Sequence, residues 1–146
     1  MGALTDYLEN KLIDQLLRGQ TYSFPSTMYM ALFTSTPSDT GGGTEVSGTG
    51  YARVSIACTM ANWSGTQGTG TTVASTGTAG TTYNNSAITF GSPTASWGTI
   101  TAVGLYDASS GGNLLIWSLL TTSKTVNSGD AAPSFAASSF SFQIDS

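Results

Sequence analysis

The sequence predicts a mainly β protein, an antiparallel β-sandwich of jelly-roll-like type with one amphipathic α-helix at its N-terminus. Leucines four positions apart near the start predict the helix. Beyond it, apolar residues alternate with hydroxyl-bearing ones or form short runs between glycine-rich and proline-rich turns. Several short strands without intervening helices favour antiparallel sheets over a parallel α/β fold. A chain of 146 residues is expected to form one domain, residues 1–146.

The first element is a helix predicted over residues 4–18. Its apolar stripe consists of Leu4, Leu8, Leu12 and Leu16. Thr5 is suited to the N-cap position, and Gly19 is suited to the left-handed conformation that ends helices. A helix of this length is marginal by itself in water, so the stripe must pack against another surface. That surface is either the β-domain of the same chain or a partner protein.

Six or more strands are predicted after the helix, and six of them can be located. They span residues 28–33, 51–58, 87–90, 99–106, 114–120 and 139–144. In the first of them, MYMALF, both alternating sets are apolar, which is typical of a strand buried on both faces. Residues 107–113 read DASSGGN, and their glycines suit a turn with positive φ, so residues 99–120 are expected to form a hairpin.

Two long segments, residues 34–50 and 64–82, are rich in glycine, serine and threonine and have no apolar period. They are predicted to be loops. Loops of this length in a small domain are usually functional or disordered. Both are therefore candidates for contact with other molecules.

Composition restricts the classes of partner. Charged residues make up 8% of the chain, against about 25% in an ordinary domain. The net charge is −4 and the four basic residues are dispersed, so nucleic acid is not an expected partner. No stretch approaches the roughly 18 apolar residues of a membrane span, and no signal peptide is expected. Cys58, the only cysteine, is predicted to be a small buried thiol.

The chain contains no histidine, which removes Ser-His-Asp and Cys-His catalysis and the usual zinc ligand sets. Asp39 and Glu45 are the closest carboxylate pair, but their glycine-rich loop offers no rigid frame for glycoside hydrolysis. The same DTGGGTE segment lacks the acidic spacing of an EF-hand calcium loop. We therefore predict no enzymatic activity, no cofactor and no bound metal.

The three tryptophans allow two interpretations. Trp97 and Trp117 are expected in the core, because aromatic residues in β-domains usually fill it. Trp63 stands beside the segment 64–82. It is equally suited to the core and to stacking on a sugar.

Three strings of residues carry a family resemblance. They are YLENKLIDQLLRG, MYMALFTSTPSDTGGGTEVSGTGYAR and SWGTITAVGLYDASSGGNLLIWSLLTTSKTVNSGD. In these strings the chain resembles a family of small virion proteins of tailed bacteriophages that are often labelled tail fibre proteins. The resemblance covers most of the chain except residues 64–82. It implies a non-enzymatic structural protein that is made in the host cytoplasm and located in the virion.

The resemblance leaves two roles open. The favoured expectation is a capsid decoration, or cement, protein that bridges major capsid subunits, because the chain has neither the repeats nor the length of a fibre shaft. The alternative is a tail fibre or tail-associated protein with a role in receptor or glycan binding. Either role implies several copies, as a homo-oligomer or within an assembly, beside major capsid or tail proteins. The candidate interface residues are Leu4, Leu8, Leu12, Leu16, Asp39, Glu45 and Trp63.

Overall fold

The computed structural model describes residues 3–144, so the ends of the predicted 1–146 domain lie outside the described residues. The elements in chain order are β1 (Ala3–Leu4), α1 (Asp6–Leu17), β2 (Thr27–Ser35), β3 (Thr44–Glu45), β4 (Val54–Ala57), β5 (Thr81–Tyr83), β6 (Ile88–Thr89), β7 (Gly98–Tyr106), β8 (Leu114–Val126), β9 (Ser134–Phe135) and β10 (Ser141–Gln143). The predicted mainly β fold, with antiparallel sheets and one N-terminal helix, is confirmed.

The main sheet has six strands. Its order is β1-β8-β7-β2, and both β3 and β4 pair with the far edge of β2, at opposite ends of that strand. Strand β2 is central, and its side chains from Met30 to Phe33 are at most 2% exposed. Met30 and Leu32 belong to one apolar cluster, whereas Ala31 and Phe33 belong to the other. The predicted burial of MYMALF on both faces is confirmed for Met30 to Phe33, whereas Met28 and Tyr29 are half-buried.

Each face of the main sheet has its own cover. Two small antiparallel ribbons, β5–β10 and β6–β9, bring aliphatic and aromatic residues such as Ile88 and Phe142 into the cluster around Leu32. These ribbons and the main sheet form a sandwich-like arrangement. On the opposite face, Phe33 and Leu114 pack across Gly104, where a Cβ atom would lie 2.6 Å from Leu114 Cδ1 and 2.9 Å from Phe33 Cε2.

The N-terminus docks on β8 in a way that the sequence did not indicate. The helix begins at Asp6, because Leu4 lies in β1 and pairs with Ile116. Thr5 occupies the N-cap position, but its side chain makes no capping hydrogen bond. Its hydroxyl donates instead to the carbonyl oxygen of Leu114 at 2.6 Å. Thr5 is 1% exposed, so its hydroxyl requires a partner within the protein, and the carbonyls of β8 supply it.

The predicted hairpin over residues 99–120 is confirmed as the antiparallel pair β7–β8. Gly111 and Gly112 adopt φ values of +60° and +71° in its turn. The Asp107 carboxylate accepts hydrogen bonds from the backbone and side-chain nitrogens of Asn113 at 2.7 and 2.8 Å, which closes the turn. Strand β8 continues beyond the predicted end at residue 120 to Val126.

Other predicted boundaries differ from the structure. The segment 34–50 contains β3, the segment 64–82 overlaps the start of β5, and β9 had no predicted counterpart. Strands of two or three residues are too short to show a period. Cys58 is exposed, contrary to the prediction. Strand β4 ends at Ala57, so the alternation that buries Ile56 does not extend to the cysteine.

Within residues 3–144, no helix has the length and apolar character needed to cross a membrane.

Candidate interaction surfaces

The apolar stripe of α1 is only partly covered by the β-domain. Leu8 is 7% exposed, and Leu4 and Leu12 pack against the main apolar cluster. Leu16 is 76% exposed. The helix therefore docks on the core along its first half and leaves its second half uncovered.

Three apolar side chains occupy this second half. Ile13, Leu16 and Leu17 are 51%, 76% and 82% exposed, and we call them the distal helix patch. Their spacing of i, i+3 and i+4 places them on neighbouring positions of one helical surface. The only ion pair on this part of the helix joins Arg18 Nε to Asp14 Oδ1 at 2.8 Å, and it is solvent-exposed.

The chain after α1 turns back along the helix and holds it in place. Gly19 has φ +67°, which permits the reversal. The backbone nitrogen of Tyr22 then donates to Gln15 Oε1 at 2.7 Å. The Tyr22 ring packs edge-on against Tyr7, with centroids 6.4 Å apart. The distal helix patch thus projects from a supported helix.

Trp63 contacts the core and also borders the protein surface. One part of its ring packs edge-on against buried Phe140, with centroids 6.1 Å apart. Another part borders an open depression of about 290 Å³, whose lining includes Met60, Val73 and Ser75. Met60 and Val73 are 57% and 62% exposed. The depression therefore offers apolar and hydroxyl groups beside an aromatic ring.

The loop that borders this depression is held by polar side chains. The Thr71 hydroxyl donates to the carbonyl of Gly68 at 2.7 Å and accepts from the nitrogen of Gly65 at 2.9 Å. The Asn85 amide donates to the carbonyls of Met60 and Thr71 at 3.2 and 3.1 Å. Such bonds give a loop without an apolar core a defined shape. In the sequence, the feature that could have indicated these hydrogen bonds was the presence of threonine, asparagine and glutamine among the glycines.

The structure does not use Asp39 and Glu45 as a carboxylate pair. The backbone oxygen of Asp39 accepts from the nitrogen of Asp6 at 2.8 Å, and Asp39 Oδ1 accepts from Trp117 Nε1 at 3.3 Å. Both carboxylate oxygens of Glu45 accept from Arg53, at 2.8 and 2.7 Å. Each acidic residue thus fixes the segment 34–50 to a different part of the fold.

Arg53 is the centre of this second attachment. Its Nη1 donates to the carbonyl oxygens of Ala108 and Gly111, both at 2.8 Å, in addition to the two bonds to Glu45. Its guanidinium carbon lies 3.5 Å from the centroid of the Tyr106 ring. The Arg53 side chain is only 7% exposed. Planar, bidentate and stacked contacts of this kind are specific to arginine.

The Tyr51 hydroxyl completes the arrangement, which we call the Arg53 clamp (Arg53, Glu45, Tyr51 and Tyr106). It donates to Glu45 Oε1 at 2.9 Å and accepts from the backbone nitrogen of Leu32 at 3.0 Å. Burial raises the pKa of Tyr51 far above its ordinary value, and it also raises the pKa of Tyr106. No local pattern in the sequence indicates the clamp, because the carbonyl oxygens that bind Arg53 lie in a distant turn.

A family model described as "Podophage GP4 fiber I protein gp80" matches residues 3–143 of the chain. No curated protein matches the chain. The family match agrees with the resemblance to phage tail fibre-type proteins. It lends no support to the resemblance to capsid decoration proteins.

Arg53→Lys should lower the free energy of unfolding by about 1–3 kcal/mol, because a lysine cannot reproduce the bidentate bonds or the stacking in a buried position. Arg18→Lys is the matched control, since Arg18 also pairs with a carboxylate but is exposed, and the expected change is a few tenths of a kcal/mol. Urea unfolding followed by tryptophan fluorescence measures both. Equal losses in the two variants would contradict the structural role of the clamp.

Stability should fall as the pH rises above about 10, the ordinary pKa of tyrosine. The raised pKa of Tyr51 means that folded Tyr51 keeps its proton while the unfolded chain loses it, so alkaline pH favours unfolding. Tyr51→Phe should lower stability at pH 8 but flatten its decline between pH 9 and 11, relative to wild type. Tyr83→Phe is the control, because the hydrogen bonds of Tyr83 within residues 3–144 are made by its backbone and not by its hydroxyl. A decline in Tyr51→Phe as steep as in wild type would refute this assignment.

Proposed function

The chain belongs to the Podophage GP4 fiber I protein gp80 family, and from this premise we propose that it is a tail-fibre subunit that attaches to another tail protein through the distal helix patch. Membership makes it a bacteriophage structural protein of fibre type, with other virion components as its partners. The family supports the tail alternative better than the capsid cement role, which the length of the chain had favoured.

The exposure of Leu16, Leu17 and Ile13 carries this proposal. The rest of the chain is rich in hydroxyl groups and poor in charge, so three adjacent aliphatic side chains in solvent stand out. Complete burial of a leucine side chain contributes about 1.5–3 kcal/mol. An apolar groove on a neighbouring tail protein would supply that burial, as in other helix-in-groove interfaces.

The attachment of the helix to the fold supports the same role. Thr5 anchors its start to β8, and Leu8 is buried in the core. The second half therefore projects in a fixed direction before any partner binds. Preorganisation of this kind reduces the conformational entropy lost on association.

Leu16→Asp should reduce incorporation of the protein into phage particles by at least about tenfold, because it places a charge in the proposed apolar contact. Asn10→Asp adds the same charge at an exposed position of the same helix and should leave incorporation unchanged. Particles are assembled with each variant in place of the wild-type protein, purified, and quantified by mass spectrometry.

The same particles test the location. Gold-labelled protein should be found on the tail, with a copy number that follows tail symmetry. Labelling of the capsid shell would reject the tail role and restore the cement hypothesis. Full incorporation of Leu16→Asp would reject the distal helix patch as the attachment surface.

A second candidate function, receptor recognition through a glycan, is favoured by the depression beside Trp63. Its lining combines the indole, the exposed aliphatic side chains and a serine hydroxyl. Small-ligand sites commonly combine a largely apolar lining with a few polar groups that orient the ligand. The hydrogen-bonded loop gives this surface a defined shape.

Trp63→Ala should abolish binding to host surface glycans on an array. Because Trp63 also packs on Phe140, loss of binding in this variant alone could reflect altered packing. Val73→Trp provides the second arm: Val73 is 62% exposed, and a larger side chain would fill the depression without disturbing the core. Unchanged glycan binding by Val73→Trp, or no binding by the wild-type protein, would reject this function.

A further inference from the structure

A groove lies between β8 and the two small ribbons, on the side of the protein that the preceding sites do not use. It consists of two adjoining open depressions of about 370 and 190 Å³. Both depressions are lined by Leu120, Thr122, Ser134 and Phe135. The larger one alone falls within the roughly 300–1,000 Å³ that is usual for small-ligand sites. We call the two together the β8 groove.

One wall of the β8 groove is an irregular segment of β8. The pairs Ile100↔Lys124 and Ala102↔Leu119 flank a register shift, so residues 120–123 bulge opposite Thr101 alone. A bulge interrupts the ladder of backbone hydrogen bonds that an added peptide strand would need. A compact ligand requires no strand register, so this wall favours a small molecule over a peptide strand.

The lining combines hydroxyl groups with apolar surface. Its hydroxyl-bearing residues are Ser118, Thr121, Thr122, Ser134, Ser139 and Ser141. Leu120 and Phe135 are half-buried beside them, and the Phe135 ring is held edge-on by Phe140, with centroids 6.3 Å apart. Hydroxyls both donate and accept hydrogen bonds, as the hydroxyls of a sugar do. The apolar C–H face of a sugar ring is suited to the aromatic and aliphatic side chains.

Lys124 adds a positive charge to this lining. Within residues 3–144, no acidic residue lines either depression. The other basic side chains have partners, because Arg18 and Arg53 pair with carboxylates and Lys11 lies 5.6 Å from the centroid of the Tyr7 ring. The protein has a net charge of −4, so the β8 groove is a locally positive site on a negatively charged molecule.

We propose that the β8 groove binds a sugar that carries a carboxylate, such as a uronic acid. The carboxylate pairs with Lys124, the sugar hydroxyls bond to Thr121 and Thr122, and the ring packs on Phe135. Lys124 distinguishes an acidic sugar from a neutral one. The hydroxyls and the aromatic ring distinguish a sugar from a simple anion. The site is separate from the depression beside Trp63, and the inference depends neither on that site nor on the tail attachment.

Titration of the isolated protein with glucuronic acid and with glucose tests the proposal, because the two sugars differ only in the carboxylate at C6. Glucuronate should bind about three- to tenfold more tightly than glucose, and added salt should narrow the difference. Acetate, which has the carboxylate without the sugar, should bind more weakly than glucuronate. In NMR spectra, the amides that glucuronate shifts should lie within residues 118–124 and 134–141.

Three variants assign the site. Lys124→Gln should weaken glucuronate binding about three- to tenfold and leave glucose binding unchanged. Lys11→Gln removes the same charge from α1 and should bind both sugars like wild type. Thr122→Trp should abolish binding of both sugars, because Thr122 is exposed and a larger side chain there fills the β8 groove without altering the core. Circular dichroism verifies that each variant folds.

Four outcomes would overturn the proposal. They are equal affinity for glucuronate and glucose, equal affinity for glucuronate and acetate, unchanged glucuronate binding by Lys124→Gln, and unchanged binding by Thr122→Trp. Glucuronate binding that is lost in Val73→Trp but kept in Thr122→Trp would assign the sugar to the depression beside Trp63 instead. None of these measurements involves phage particles, so their outcome is separable from that of the attachment experiment.

Discussion

The middle of strand β2, from Met30 to Phe33, is buried on both faces, and this constraint organises the rest of the molecule. Apolar side chains on both faces of a strand require a separate cover on each side. The small ribbons supply one cover with residues such as Ile88 and Phe142. On the other face Tyr106 and Trp117 pack against the cluster, and both are held by polar contacts: Arg53 stacks on Tyr106, and Asp39 accepts a hydrogen bond from Trp117. Few charges are available in this chain, and three of them, Arg53, Glu45 and Asp39, take part in these contacts.

The features predicted from the sequence are those that leave a local pattern. The leucine spacing of α1, the doubly apolar MYMALF run and the DASSGGN turn each reflect the environment of neighbouring residues, and the structure agrees with all three. The shortest strands are different, because they exist only where another segment pairs with them. Ser134–Phe135, for example, pairs with residues that precede it by more than 40 positions. No local period marks such a segment.

The candidate sites were less predictable for the same reason. The sequence predicted a leucine stripe. How many of its leucines are buried depends on where β8 and β1 contact α1. The sequence identified Glu45 as an acidic loop residue. Its pairing with Arg53 also depends on a distant turn, because Arg53 donates to the carbonyl oxygens of Ala108 and Gly111. Cys58 is a case in which the sequence prediction failed. Cysteine is usually buried, but Cys58 is exposed because the short strand β4 ends just before it.

The loop beside Trp63 is shaped by bonds from a few side chains to backbone atoms, and this has an evolutionary consequence. A backbone carbonyl or N–H is present whatever side chain the residue carries. Thr71 and Asn85 can therefore preserve the path of the chain while outward-facing positions such as Val73 are substituted. The chemistry of this surface can thereby change through substitutions that leave the path of the loop intact.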